Sequence, residues 1–444
     1  MRNIKRNSIY IAVGLTTISG FLSSCTKDYE DPSRARTEVA LGSSQALSAV
    51  AMGVNRTYTL SRTGVLFNSV AASGFASNEF RLLNAGNIPE LQLSTGGTAV
   101  DGTNTILYNM WASSLKVIDE SNKVIAGAEA LGDKGYASGL IGYVTVFKAL
   151  SLGTLSTFWE KVPVTTGKAV PFVDRMDGYK AAINAIDNAL AKIAANPISS
   201  QFNSTVNNIN IVNALQALKA RYALFSGQHT VALAAANAVT TPTVIPPNKT
   251  TISAADISPF KFDAANANAI ASVVISNNVF QPTDASLGLP AALAPEVNDK
   301  RIPFYTAMQG SPATLRMTGF ATSVTSSFPI FLPGEITLIK AEALARQATP
   351  DLGNALIELN KVVTKTTDVF GVAANLPPLV GPFTQAQLLE QIYKHRSIEL
   401  FASGLKLEDM RRFNRPQAEM KRRFMPYPFQ ERDNNPNTPA NPTF

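Results

Sequence analysis

The sequence predicts a mostly α-helical fold, a superhelix of stacked helical hairpins carrying a large, irregular, loop-rich lobe. Three observations lead there. Apolar residues recur at spacings of three and four in several segments, short connections join some of these segments in pairs, and long Pro-, Gly-, Ser- and Thr-rich stretches separate the pairs.

The first segment is of another kind. Arg2, Lys5 and Arg6 give a positively charged start, residues 8–22 are apolar and uncharged, and two serines lead to Cys25. That is the layout of an export signal. At 1.5 Å per residue the apolar run spans roughly 22 Å, short of the ~30 Å hydrocarbon core of a bilayer. Leu22-Ser-Ser-Cys25 resembles the bacterial lipoprotein signal, which implies cleavage before Cys25 and acylation of its sulfur. Each buried acyl methylene adds about 0.8 kcal/mol of membrane affinity. Cys25 is the only cysteine of the 444 residues, so the fold is expected to rest on its core rather than on disulfides. The acidic stretch Lys27-Asp-Tyr-Glu-Asp31 resembles the surface-export signal of Bacteroidetes lipoproteins. Residues 1–24 are therefore expected to form a signal peptide, 25–40 an acylated tether and 41–444 the body.

Within the body, Tyr179, Ile183, Ile186, Leu190 and Ile193 form one helical stripe. Ile211, Leu215, Leu218, Tyr222 and Phe225 form a second, stopped by Gly227. The same period runs through 115–126, 140–150, 336–345, 352–363 and 388–402. Gly227-Gln-His229 and Thr349-Pro-Asp351 are connections short enough to make hairpins. A hairpin cannot bury its apolar stripe alone, and stacking hairpins gives a tetratricopeptide-like superhelix. No strict 34-residue period connects the pairs. The helical scaffold is expected mainly at 41–55, 109–240 and 335–415, and the irregular lobe mainly at 56–108 and 241–334, where prolines and missing periodicity argue against long helices.

Composition excludes several functions. Removing the signal leaves 36 basic against 32 acidic residues, nearly balanced, so no nucleic-acid partner is expected. Lys421-Arg-Arg423 is flanked by Glu419 and Glu431 and reads as a solvated or partner-facing surface. The sequence has no GxxxxGK[ST] or GxSxG motif, and its two histidines, His229 and His395, read as packing or surface residues. Neither a metal nor a cofactor is expected. A glycosidase pair of carboxylates is a spatial arrangement, and helical-toroid glycosidases are the enzyme alternative; they line their clefts with aromatics, whereas this chain has 8% aromatics and two tryptophans.

Five further stretches carry a resemblance. In Ile392-Tyr-Lys-His-Arg396-Ser-Ile-Glu399 through Gly404 to Asp409-Met-Arg411-Arg412, a helix with Arg and Glu three apart meets a glycine stop and an Asp that can pair with arginines. Pro333-Gly-Glu335 leads into Ala341-Glu-Ala343, Trp111 precedes Asn122 on an early helix with Asn298-Asp-Lys-Arg301 beyond, and Met425-Pro-Tyr-Pro428 is followed by Glu431 and Asn435. With the lipoprotein start, these resemble the SusD/RagB family of Bacteroidetes outer-membrane nutrient-binding lipoproteins. In that family the element of Arg396, Glu399, Gly404, Asp409, Arg411 and Arg412 is structural. Lys394, His395, Ser403 and Lys406 depart from the family pattern, so the ion-pair cluster is expected to be thinned.

The resemblance implies a non-enzymatic, cell-surface lipoprotein that binds an oligomeric nutrient and delivers it, as a hinged lid, to a SusC-like TonB-dependent transporter. An oligosaccharide is the first expectation for the ligand. Peptide binding, or a ligand-free adhesin, are the alternatives. Sugars take aromatic faces with Asn, Asp and Arg on their hydroxyls, so Tyr58, Phe75, Asn78, Phe80, Arg81 and Tyr305 are the expected contacts. Trp111 is assigned to the core because Leu115 and Ile118 continue its stripe.

Overall fold

The structure, a computed structural model, describes residues 42–206, 210–240 and 259–443. Cys25, the signal peptide and the tether lie outside the described residues.

Helix α1 (Ser44–Thr59) starts at Ser43, whose hydroxyl accepts from the Ala46 amide. Two helices, α2 (Val65–Ala76) and α3 (Ile88–Thr95), precede the long hairpin of α4 (Thr105–Glu129) and α5 (Lys134–Phe158). Asn104 and Asp133 cap these two, supplying acceptors that the first helical amides lack. Next come α6 (Arg175–Ala195), the short α7 (Ser200–Thr205), and the hairpin of α8 (Ile211–Phe225) with α9 (His229–Ala238). In the lobe lie two single turns, α10 (Ala269–Ala271) and α11 (Arg301–Tyr305). The hairpin of α12 (Pro333–Ala345) and α13 (Leu352–Val363) follows, then α14 (Gln385–Glu399), α15 (Lys406–Arg412) and α16 (Phe429–Asn434).

Each scaffold helix packs on the next: α1 on α4, α4 on α5, α5 on α6, α6 on α8, α8 on α9, α9 on α12, and α12 on both α13 and α14. The expected helical-hairpin stack is the observed architecture. Helix α5 is at its centre and is apolar on every side. It is long and apolar enough to cross a bilayer, yet it is buried among α1, α4, α6 and α8 as a core helix. At Gly153 the ring of Tyr222 from α8 sits so close that an added Cβ would lie 2.1 Å from it, which only glycine permits.

Among the described residues, four two-stranded antiparallel sheets accompany the helices. In the lobe, β1 (Phe80–Leu82) pairs with β5 (Phe280–Pro282) in the register Arg81 to Gln281. Also there, β4 (Pro259–Phe260) pairs with β8 (Phe328–Pro329) and β6 (Thr306–Gln309) with β7 (Thr314–Met317). Beside α5 and α6, β2 (Lys161–Val162) pairs with β3 (Val173–Asp174).

Residues 56–108 differ from the irregular stretch expected. They hold the end of α1, all of α2 and α3, and the start of α4. All twelve residues of α2 are buried, so it has no polar face and no amphipathic stripe to reveal it. The basic Lys421-Arg-Arg423 also differs from a solvated surface. Arg422 is buried and donates to the carbonyls of Gly97, Val100 and Phe424, and Lys421 donates to Ser94, so the two fasten the 94–100 loop.

Both tryptophans serve the C-terminal segment. Trp159 Nε1 donates to the Pro426 carbonyl at 3.0 Å and Trp111 Nε1 to Glu431 Oε2 at 2.9 Å. Their rings meet edge to face with centroids 4.8 Å apart, and Trp111 is in the core as expected.

Candidate ligand-binding site

The C-terminal element builds the most concentrated chemistry in the molecule. Arg396, fully buried on α14, forks onto Asp409 of α15 with two contacts of 3.0 Å. Arg412 reaches the same carboxylate at 2.5 Å and also bonds Glu342 of α12, which Arg346 approaches at 2.8 Å. Burial alone would raise the Asp409 carboxyl; the charges and hydrogen bonds of Arg396 and Arg412 outweigh it and hold it below the usual carboxylate range.

Two more clusters adjoin. Arg175 of α6 (2.9 Å) and Arg411 (2.6 Å) share Glu408. Arg301, fully buried at the start of α11, lies between Asp299 (2.6 Å) and Glu399 (3.3 Å), and Lys365 also bonds Glu399. Thus Arg396 and Glu399, three residues apart on α14, pair with different partners. Between α14 and α15, Gly404 takes φ +82°, with the backbone of Ser69 in α2 3.3 Å from where a Cβ would stand.

The expected thinning of this cluster is corrected for three of the four departing residues, which find partners of their own, whereas the Ser403 hydroxyl is buried with no partner among the described residues. Lys394 pairs with Glu296 at 2.7 Å, and Lys406 donates to the Leu287 carbonyl at 2.9 Å. His395 lies 2.8 Å from Arg301 Nη2; since arginine only donates, His395 Nδ1 is the acceptor and its proton sits on Nε2. Burial, then the neighbouring charges of Arg301 and Lys394, holds this imidazole neutral, its pKa well below the ordinary value.

Four of the expected ligand residues are core residues, and the expectation is corrected for them. Tyr58, Phe75, Phe80 and Tyr305 are each at most 3% exposed. Phe80 stacks on Phe280 (4.7 Å) and meets Phe75 and Phe401 edge on, while Tyr305 donates to the Glu399 carbonyl at 2.6 Å. Tyr58 continues the α1 stripe of Leu47, Ala51 and Val54, a spacing that signals burial. It lines a partly open cavity of about 60 Å³, walled by Phe158, Tyr222, Phe260 and Phe328 among others. Ligand pockets run to roughly 300–1,000 Å³, so this cavity does not seat a sugar ring.

Asn78 and Arg81 remain. Asn78 has a left-handed backbone (φ 61°), and its amide donates to the Glu419 carbonyl at 2.7 Å, a tie that joins the lobe to the C-terminal segment. Arg81 is half-buried on β1. Its Nε donates to the Pro282 carbonyl at 3.1 Å, and among the described residues its two Nη groups have no acceptor. Of the six, Arg81 alone offers free donors toward solvent. No group of three or more His, Cys, Asp or Glu among the described residues is placed to hold a metal ion.

Sequence reading passed over Glu79, which nothing local marks as unusual. It is buried, with Oε1 3.4 Å from the Ala402 amide, and Oε2 has no partner among the described residues. Burial pushes its carboxyl up to about 7, against the opposing charge of Lys406.

Phe80→Ala is expected to lower stability by about 3–5 kcal/mol in chemical denaturation, the range for emptying a packed aromatic site; an unchanged midpoint would contradict the core assignment. Glu79 binds a proton more tightly in the folded chain than in the unfolded one, so its contribution to stability falls as pH rises from about 4.5 to about 7. Glu79→Gln is therefore expected to gain stability relative to the parent across that window in paired pH-dependent melts, and parallel curves would contradict the assignment.

No family profile matches the sequence, and no curated protein matches it. Solved structures do. A SusD superfamily protein from Bacteroides fragilis superposes with a TM-score of 0.69 at 15% identity, covering 89% of this chain and 98% of the other. One from Bacteroides thetaiotaomicron gives 0.68 at 16%, covering 90% and 100%. A protein from Bacteroides vulgatus described as SusD-like and carbohydrate binding gives 0.63 at 16%, covering 83% of each. Nearly the whole of these proteins is matched, and the chain therefore has the fold of the SusD superfamily.

Proposed function

We propose that this chain is a surface-exposed outer-membrane lipoprotein, anchored through Cys25, that binds an oligomeric nutrient and delivers it to a SusC-like TonB-dependent transporter. The observation that carries the proposal is the SusD-like fold, matched over 89% of this chain and 98% of one such structure. The lipoprotein signal at Cys25 supports the location. An oligosaccharide is the favoured ligand, supported by the description of two of the similar structures as SusD-like carbohydrate-binding proteins. The protein is a binder that makes and breaks no bond. Delivery by closure requires that the ligand bind the closed state more tightly than the open one.

Calorimetric titration of the detergent-solubilised full-length chain with glycan pools and with peptide pools tests this. Saturable binding of a glycan pool is expected. Binding confined to peptides would move the chain to the peptide-binding alternative, and heat from neither pool would favour an adhesin. In the native host, Cys25→Ala is expected to move the protein out of the outer-membrane fraction, and its retention there would contradict the anchor.

A further inference from the structure

We propose that the lobe surface where β1, the loop before β5, and β7 meet is an anion-recognising subsite, and that the nutrient is an acidic oligosaccharide bearing carboxylate or sulfate groups. This rests on the nutrient-binding reading and narrows its ligand class.

Charge bookkeeping in the lobe singles out two arginines. Arg175, Arg221, Arg301, Arg396 and Arg411 are buried and Arg412 is half-buried, each held on a carboxylate, while the buried Arg422 is held by backbone carbonyls. Like Arg432, which bonds the Pro439 carbonyl and Asn441 near the C-terminus, Arg81 and Arg316 of the lobe are withdrawn from full exposure and have no ion-pair partner among the described residues. Both instead touch one short segment. Arg81 Nε is fixed on the carbonyl of Pro282, and Arg316 Nη1 bonds the side-chain oxygen of Asn278. Four residues of extended chain span at most about 14 Å, so the two anchor points are within reach of one short oligomer.

Each arginine is oriented by a neutral acceptor that leaves its positive charge uncompensated. A guanidinium fixed at one nitrogen retains other N–H donors, arranged as a fork that matches carboxylate or sulfate oxygens. The carboxylate nearest this segment in sequence, Asp284, is turned onto the amides of Ser286 and Gly288. The rest of the surface suits a sugar. The Leu83 amide bonds the Val279 carbonyl, which sets the 83–84 turn beside 277–279. Asn84 and Asn277 are exposed there with groups for hydroxyls, Asn278 keeps its amide as a donor while its oxygen accepts from Arg316 and Gln281, and Leu83, 37% exposed, offers an apolar face.

The test is an array of oligosaccharides bearing uronate, sialate or sulfate groups, each beside its esterified, desialylated or desulfated counterpart, with polyglutamate as an acidic non-sugar. Detergent-solubilised full-length chain is the probe, with Kd values then measured for what binds. We expect at least one acidic oligosaccharide to bind tenfold or more tightly than its neutral counterpart, with affinity falling as salt rises. Arg81→Gln and Arg316→Gln should each weaken it about tenfold with the thermal midpoint unchanged. Arg81→Lys should recover only part of the loss, since it restores charge but not the fork. Equal binding of acidic and neutral partners, unaltered by either substitution, overturns the proposal while leaving nutrient binding intact. Binding of polyglutamate as tightly as of any acidic sugar overturns the oligosaccharide assignment. Absence of binding to every sugar overturns both this proposal and the carbohydrate reading on which it rests.

Discussion

The pairing of Arg396 with Asp409 is the contact on which the rest of the structure depends. Both groups are almost wholly out of water, where an isolated charge costs several kcal/mol, and removing one partner of such a pair typically costs about 3–5 kcal/mol. That cost makes the arrangement all-or-none. Asp409 fixes Arg412, Arg412 fixes Glu342, and Glu342 fixes α12 against α14 and α15. The neighbouring clusters extend the same logic to α6 through Arg175 and to the lobe through Arg301 and Asp299. Buried pairs of this kind are weak contributors to net stability and strong contributors to uniqueness: a shifted α14 would strand several charges at once. The lobe is thereby held to the scaffold by ionic contacts as well as by apolar packing, and a surface on the lobe inherits a fixed position relative to the helices.

The aromatic residues do a different job from the one their composition suggests. Phe75, Phe80, Phe280 and Phe401 form one interlocked group, and Tyr58, Phe147 and Phe260 another. Both lie where short strands of the lobe meet α1, α2 and α5, places with too little regular structure to be closed by small side chains. Aromatics there supply large buried area per residue. Their use in the interior leaves the lobe surface to arginine, asparagine and scattered aliphatic side chains.

How much of this was legible in the sequence follows from what each element buries. Helix α13 was readable because it keeps an apolar stripe against a polar face, and α8 because its three-and-four apolar spacing runs up to Gly227 although most of the helix is buried; the stripes of Ile211 to Phe225 and Leu352 to Val363 match the observed bounds. Helix α2 was not readable, because burial on all sides erases the period. Tyr58 was misread although its spacing from Val54 and Ala51 already marked it as core. Lys394, His395 and Lys406 looked like losses from an ion-pair motif because a one-dimensional comparison shows the missing residue and not the new partner. Glu296, Arg301 and the Leu287 carbonyl, which receive them, are all distant in the chain. Arg81 was selected for the chemistry of its side chain. The property that distinguishes it, free Nη donors, is visible only once the partners of the lobe's other arginines are placed in three dimensions.

The central claim is that this SusD-like body works as the ligand-binding partner of an outer-membrane barrel. An affinity pull-down of tagged full-length protein from mildly solubilised outer membranes of its host, with mass analysis of what accompanies it, tests that claim most directly. The account predicts recovery of a large TonB-dependent barrel, lost when Cys25 is replaced and the chain no longer reaches the membrane. Recovery of the protein from the cell surface with no such barrel would contradict it.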